Sequence, residues 1–284
     1  MKISKSKYAI VTGGARGIGK VVVKQLVQDG FTVLICARNK KEIDATCKEM
    51  NSSSEKVFGI QADVSSFSDC KKLVDYSYKK FGKINVLVNN AGIYGPIGPV
   101  EANPPKDWVN AMQINLFGTL YCSQLVIPIM KKQKSGKIIN MAGAGVGGKR
   151  ALARFSAYFT TKTAVVGLTE VMAAEVEGDN IQVNCISPGA INTYFTDYLL
   201  AQGKEKAGNV MYEQALNQKK NGGDSPLLAA KLIAFLASSE ANHITGKMLS
   251  AKWDTIEALK KLSSHSKNLF TLRRIDNTLF YEKK

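Results

Sequence analysis

The stretch 7-KYAIVTGGARGIG-19 runs a short apolar segment into a glycine-rich turn. The apolar run Tyr8–Thr12 stops at Thr-Gly-Gly, which reads as a first strand entering a turn and not as a signal peptide. Gly13, Gly17 and Gly19 keep side chains away from a bound pyrophosphate and let the next helix approach the strand closely. Free backbone amides and the dipole at the helix start then attract phosphate. Many tight turns look like this one. Its place between a first strand and a first helix, where a dinucleotide site is built, gives it meaning.

Working outward from that turn, short apolar runs alternate with longer amphipathic segments. The strand-like runs are Tyr8–Thr12, Thr32–Ala37, Val57–Gln61, Val86–Asn89, Lys137–Met141, Ile181–Ile186 and Lys247–Ala251. Helix-like segments fall at about 17–29, 40–50, 68–81, 106–132, 156–177 and 226–237. Runs such as NVLVNN and KIINMA are nearly continuously apolar, as expected of strands covered on both faces. Such alternation predicts an α/β fold: a doubly wound parallel sheet (Rossmann fold) of about seven strands, with helices on both faces. The expected domain is 1–251, with a substrate lid at about 189–224 and a carboxyl-terminal extension over 252–284. That extension is too apolar to float free and is expected to dock on the domain or on a neighbouring subunit.

The bulk numbers narrow the function classes. The 284 residues are 45% hydrophobic and 22% charged, ordinary globular values. No apolar run reaches the length that spans a bilayer. Five scattered cysteines without metal-ligand spacing read as buried thiols of a cytoplasmic protein, and two distant histidines suggest no metal. The formal charge of +16 comes mostly from lysines spread along the chain. Without an aromatic-interleaved basic cluster, this argues for a solvated surface and against a nucleic-acid partner.

The end of the second strand bears on cofactor choice. An NAD site places a carboxylate there for the adenosine ribose hydroxyls. Here 35-ICARN-39 has Ala37 at that point and Arg38 next, while Arg16 sits inside the glycine turn. Two arginines and no acid suit a 2′-phosphate through charge-assisted, bidentate bonds, so NADP(H) is expected in preference to NAD(H).

Over roughly residues 7–250 the chain resembles the short-chain dehydrogenase/reductase family. The resemblance rests on 12-TGGARGIG-19, Asp63–Val64 after the third strand, 89-NNAG-92 after the fourth, Asn115 in QINLFGT, Tyr158 and Lys162 as Tyr-x-x-x-Lys, and 188-PGAINT-193 after the sixth. It implies dinucleotide contacts from Gly13, Arg16, Gly17, Ile18, Gly19, Arg38, Asp63, Val64, Asn89, Ala91, Gly92, Tyr158, Lys162, Pro188, Gly189, Ile191 and Thr193. It implies a catalytic set of Tyr158, Lys162 and Asn115, with Asn115 anchoring a proton-relay water and Lys162 holding the nicotinamide ribose. Spacing of four on a helix puts Tyr158 and Lys162 on one face. An ammonium about 5 Å from a phenol at effective dielectric about 20 is worth roughly 3 kcal/mol, about two pKa units of activation. The expected reaction moves a hydride between nicotinamide and a carbonyl or alcohol, with Tyr158 as acid/base.

One element of the family pattern is missing. The serine that holds the substrate oxygen would fall at Ala142 or Gly143, in a loop about two residues longer than usual. Ser156 lies about 200° round the helix from Tyr158 and should point elsewhere. Backbone amides of 143-GAGVGGK-149 are the expected substitute. Two alternatives stay open: a dinucleotide-binding scaffold without turnover, and an epimerase or dehydratase of a sugar-like substrate. The partners expected are a small-molecule substrate and further copies of the chain, as a homodimer or homotetramer through the helices near 106–132 and 156–177, with no membrane.

Overall fold

The computed structural model describes residues 6–52, 54–143, 145–147, 151–262 and 270–272. Seven strands form one parallel sheet in the order β3-β2-β1-β4-β5-β6-β7. They are β1 (Lys7–Thr12), β2 (Phe31–Ala37), β3 (Val57–Gln61), β4 (Val86–Asn89), β5 (Gly136–Met141), β6 (Ile181–Ser187) and β7 (Met248–Ser250). The connecting helices are α1 (Gly17–Gln28), α2 (Lys40–Met50), α3 (Phe67–Phe81), α4 (Pro105–Met112), α5 (Gly118–Gln133), α6 (Ser156–Glu175), α7 (Tyr194–Ala201), α8 (Gly203–Ala207), α9 (Asn209–Asn221), α10 (Pro226–Leu236) and α11 (Ile256–Lys260). Strands β4 and β5 are buried at every residue, because helices cover both faces of the sheet. One apolar core packs α1 and α10 on one face, around Val22, Leu26, Ile233 and Leu236. The other packs α3 and α5 on the opposite face, around Leu73, Val74, Val126 and Met130.

Winding starts at β1, moves outward to β3, then returns to β4 and proceeds the other way. The chain therefore changes direction between β1 and β4, and the turns leaving these two strands face a shared crevice at their carboxyl ends.

Two expectations change. The helix expected over 106–132 is two helices joined by a π turn, Gln113–Phe117. A π turn carries one residue more per turn and breaks the i→i+4 ladder, which marks a local demand stronger than helix propensity. Here that demand is met by Asn115, whose side chain bonds the backbone of Ile93 across the crevice. The segment 189–224, where no helix-like run was expected, folds as α7, α8 and α9. Of the tail, the described residues 270–272 lie against this domain. Met248 N on the outer edge of β7 donates to Phe270 O at 2.7 Å, and Leu272 N donates to Glu170 Oε1 at 2.8 Å. The rest of the segment 268–276 falls outside the described residues.

Candidate active site

The glycine turn is shaped by contact. Gly13 and Gly17 take left-handed φ of 64° and 54°, where a side chain is strained. A Cβ on Gly19 would lie 2.3 Å from Gly13 O and 2.5 Å from Asn90 Nδ2. Asn90 ties the two central turns together. Its Nδ2 donates to Thr12 O and Gly13 O at 2.9 and 3.1 Å, while Thr12 Oγ1 accepts from the amides of Asn90 and Ala91, both at 3.0 Å. Ile18 lies at the start of α1 beside this turn. Sequence reasoning singled out Asn89 and passed over its neighbour. Asn89 braces the sheet from within, with Nδ2 on Ser123 Oγ and Asn140 Oδ1 at 3.0 and 2.9 Å. The period of two along a strand was the available signal: of two adjacent asparagines, one must face the opposite way.

Beyond β2 and β3 an open crevice of about 440 Å³ is lined by Arg38, Gln61, Ala62, Asp63, Asp69 and Lys72. Gln61 Nε2 donates to Arg38 O at 2.8 Å, leaving the exposed Arg38 guanidinium at the rim. Asp63 is occupied by Ser65, whose amide and hydroxyl donate to its Oδ1. Val64 is buried, its side chain crowding Gly118. Arg16 is less free than the sequence implied. Its Nη1 is 3.3 Å from Glu42 Oε1, and its guanidinium lies 4.7 Å above the ring of Tyr194.

At the other end of the crevice Tyr158 and Lys162 lie on one face of α6, 8% and 4% exposed. Lys162 Nζ donates to Met141 O at 2.9 Å, and burial pushes its pKa down to about 8. A Cβ on Gly92 would come 3.1 Å from Asn115 Oδ1 and 3.4 Å from Lys162 Nζ, so both side chains converge on the turn after β4. Asn115 is fully buried and spends its side chain on Ile93 N, Ile93 O and Thr161 Oγ1. Its carbonyl accepts from Thr119 Oγ1 at 2.9 Å.

The loop after β5 settles what stands beside Tyr158. A Cβ on Gly143 would lie 2.7 Å from Tyr158 Cε1 and 2.8 Å from both Tyr158 Cζ and Lys162 Cγ. The backbone itself packs against the ring, leaving no room for a serine in this arrangement. Ala142 is buried on the far side with Val146, Val165 and Cys185. Ser156 does point elsewhere: its Oγ accepts from Trp108 Nε1 and Asn103 Nδ2, both at 3.3 Å. Residues 144 and 148–150 of the glycine-rich loop fall outside the described residues.

The segment 189–224, the expected lid, packs against this end. A Cβ on Gly189 (φ 95°) would meet Asp224 Oδ2 at 2.8 Å, and Asp224 Oδ2 accepts from Ala190 N at 2.8 Å. Asp224 N donates back to Ala190 O, and Lys252 Nζ stands 2.9 Å from Asp224 Oδ1, so both ends of the lid are pinned together. The lysine beside holds the Asp224 carboxyl below its usual range, aided by the Ala190 amide. Pro188 precedes this pin and Ile191 packs into the main core. Thr193 caps α7 and lies 3.7 Å from where a Gly17 Cβ would be. Phe195, Tyr198, Leu199 and Met211 pack around Tyr158 together with Tyr94 and Phe155.

The glycine cradle, the arginine-rimmed crevice and the Tyr158–Lys162 pair all lie at the carboxyl ends of the strands around the sheet's topological switch point. That donor set fits a dinucleotide laid from adenosine to nicotinamide. Among the described residues, no group of three or more His, Cys, Asp or Glu could hold a metal, and no helix is long and apolar enough to cross a membrane.

Comparison with known proteins agrees. A family model described as short chain dehydrogenase matches residues 7–203. Dehydrogenase/reductase SDR family member 4 of Caenorhabditis elegans is 36% identical over 248 residues, covering 86% of this chain and 93% of that protein. A 3-oxoacyl-[acyl-carrier-protein] reductase of Staphylococcus epidermidis is 35% identical over 246 residues, covering 86% and 96%. Among solved structures, an actinorhodin polyketide ketoreductase variant with NADPH superposes with a TM-score of 0.79 at 26% identity, covering 88% of this chain and 97% of that one. An NAD+-bound xylitol dehydrogenase gives 0.78 at 27%, covering 86% and 96%.

Proposed function

The chain belongs to the short-chain dehydrogenase family, a family of oxidoreductases that bind a nicotinamide cofactor, and from that premise we propose that it is an NADP(H)-dependent reductase of a small carbonyl substrate. The observation that carries this reading is the convergence of Lys162 and Asn115 on the turn after β4, beside the glycine cradle, with Tyr158 on the same face of α6 as Lys162. Gly13, Gly17, Gly19 and the start of α1 would hold the pyrophosphate. Lys162 would hold the nicotinamide ribose, and Ile191 and Thr193 the carboxamide. Bound there, the cofactor supplies or accepts a hydride at the substrate carbon.

The chain's own residues handle the proton. The Tyr158 hydroxyl gives it to the substrate oxygen in reduction and takes it back in oxidation. Lys162, charged below about pH 8, favours the phenolate that Tyr158 leaves behind. Asn115 positions the relay water that returns the proton from solvent. The aromatic wall of Tyr94, Phe155 and Phe195 excludes bulk water, which strengthens every electrostatic effect in the site. The pure protein should oxidise NADPH with members of a ketone and aldehyde panel. Tyr158→Phe should lower turnover at least 100-fold while leaving NADPH affinity within threefold; turnover untouched by that change removes Tyr158 from the mechanism.

Preference for NADP(H) rests on Arg38 and Arg16 together with the missing acid at Ala37. NADPH should bind at least tenfold more tightly than NADH by titration of nicotinamide fluorescence, and Arg38→Ala should erase most of that ratio. Equal affinities in the wild type would return the choice to NAD(H). The absence of a hydroxyl at Ala142 and Gly143 favours a second reading, a dinucleotide-binding scaffold without turnover. Tight NADPH uptake with no oxidation across the panel selects it. The reading includes a cytoplasmic homodimer or homotetramer built on α4–α5 and α6, which light scattering tests.

A further inference from the structure

Resting on the reductase reading, we infer that Tyr94 is the second hydroxyl that holds the substrate oxygen, in the role a serine after β5 would otherwise fill. Gly143 cannot carry a side chain in this arrangement, because its Cβ would press on Tyr158 and Lys162. The Ser156 hydroxyl is bonded to Trp108 and Asn103. That of Thr161 donates to Tyr158 O and accepts from Asn115. Tyr198 directs its hydroxyl to Gly95 O at 3.4 Å.

Tyr94 stands in the right company. Its ring centroid is 4.8 Å from that of Tyr158, 4.6 Å from Phe195 and 5.4 Å from Phe155, all edge-to-face. Such contacts fix a ring that has only two side-chain torsions. Its backbone is fixed as well, because Asn115 clamps Ile93 on one side and Gly95 (φ 72°) packs tightly on Ala111 on the other. The side chain is half-buried, and its hydroxyl, which has no hydrogen-bond partner among the described residues, is open to solvent and so to a substrate oxygen. Burial pushes the Tyr94 phenol up to about 12, so it remains a donor across the working pH range and does not compete with Tyr158 as a base.

Two tyrosines thus divide the work. Tyr158 transfers its proton, whereas Tyr94 keeps its own and only donates a hydrogen bond. The surrounding wall of Phe155, Phe195, Leu199 and Ile97 suits an uncharged, flat ketone, so aryl and alicyclic ketones are the ligand class expected.

Tyr94→Phe removes one oxygen and keeps the ring, so folding is not at stake. Two readouts test it. Acetophenone and cyclohexanone are titrated calorimetrically into protein saturated with NADP+, or with NAD+ if that is the dinucleotide bound, where no turnover occurs. Tyr94→Phe should weaken uptake about three- to tenfold, as for loss of one neutral hydrogen bond, and leave dinucleotide affinity unchanged. In steady state it should lower kcat about 100-fold. Unchanged ketone affinity and unchanged kcat overturn the inference, as does a wild type that takes up neither ketone. If the wild type binds ketone without oxidising NADPH, the reductase reading fails and the binding comparison alone decides the role of Tyr94.

Discussion

At Gly143 a single absent Cβ decides how Tyr158 is seated. Placing a serine there by Gly143→Ser should lower kcat, because the new Cβ would meet the Tyr158 ring at 2.7 Å and the Lys162 side chain at 2.8 Å. Overpacking of this kind costs about 1–3 kcal/mol, visible as a lowered thermal midpoint; a gain in kcat would show that the loop moves aside. Lys162 offers a pH test. Its pKa falls from 10.5 unfolded to about 8 folded. Below pH 8 both states hold the proton, and burying the ammonium costs about 3 kcal/mol at 1.36 kcal/mol per unit. Between pH 8 and 10.5 the unfolded chain binds more protons, so stability rises with pH. Lys162→Met should therefore be more stable than wild type at pH 7, and that advantage should shrink from pH 8 to 10 in parallel denaturant titrations. A constant difference would mean the lysine is charged throughout.

Among elements, the lid is the one whose order the sequence understated. It is held at its tip as well as its base: Arg154 (φ 69°) donates through Nη1 to the carbonyls of Glu205 and Lys206 at the end of α8, at 2.7 and 3.4 Å. A cation suits a helix carboxyl end. Further pairs, Lys204–Glu213 and Lys219–Asp197, lie on its outer face; being exposed, they contribute little. Lys204 and Lys219 therefore each have a carboxylate of their own. Arg154→Ala should speed amide hydrogen exchange in α8 and α9 by tenfold or more while β4–β6 stay protected, and should raise KM more than it lowers kcat. Exchange unchanged by the substitution would leave the base pin at Asp224 as the lid's main restraint. The π turn is the opposite case. Its sequence, QINLF, is unremarkable for a helix, and the break exists because Asn115 must reach Ile93 on a distant loop.

For the whole molecule, the tail strap matters most. The Phe270 carbonyl covers one amide on the outer edge of β7, while Phe270 and Leu272 pack against the two cores nearest it. An uncovered strand edge is a site for unwanted pairing. Truncation after Ser264 should lower stability by about 2 kcal/mol or more, from two lost hydrogen bonds and the lost packing of two half-buried apolar side chains, read as a drop in the denaturant midpoint. An unchanged midpoint would make the strap incidental.

The fold and the tight turn after β1 were legible because both depend on local pattern. Buried parallel strands must be apolar throughout, amphipathic helices must repeat at 3.6, and a tight left-handed turn favours glycine, so the shape of 12-TGGARGIG-19 and the strand–helix alternation can be read unaided. The Tyr158–Lys162 pair was legible for the same reason, since spacing along one helix fixes a shared face. What the chain does with Asn89 and Asn90, with Gly143, with Arg16 beside Glu42 and Tyr194, and with the ring of Tyr94 was decided only in three dimensions. Each depends on atoms brought together from distant segments, where a difference of one side-chain direction or one Cβ reverses the outcome. Local sequence sets periodicity; which surfaces meet is settled by packing.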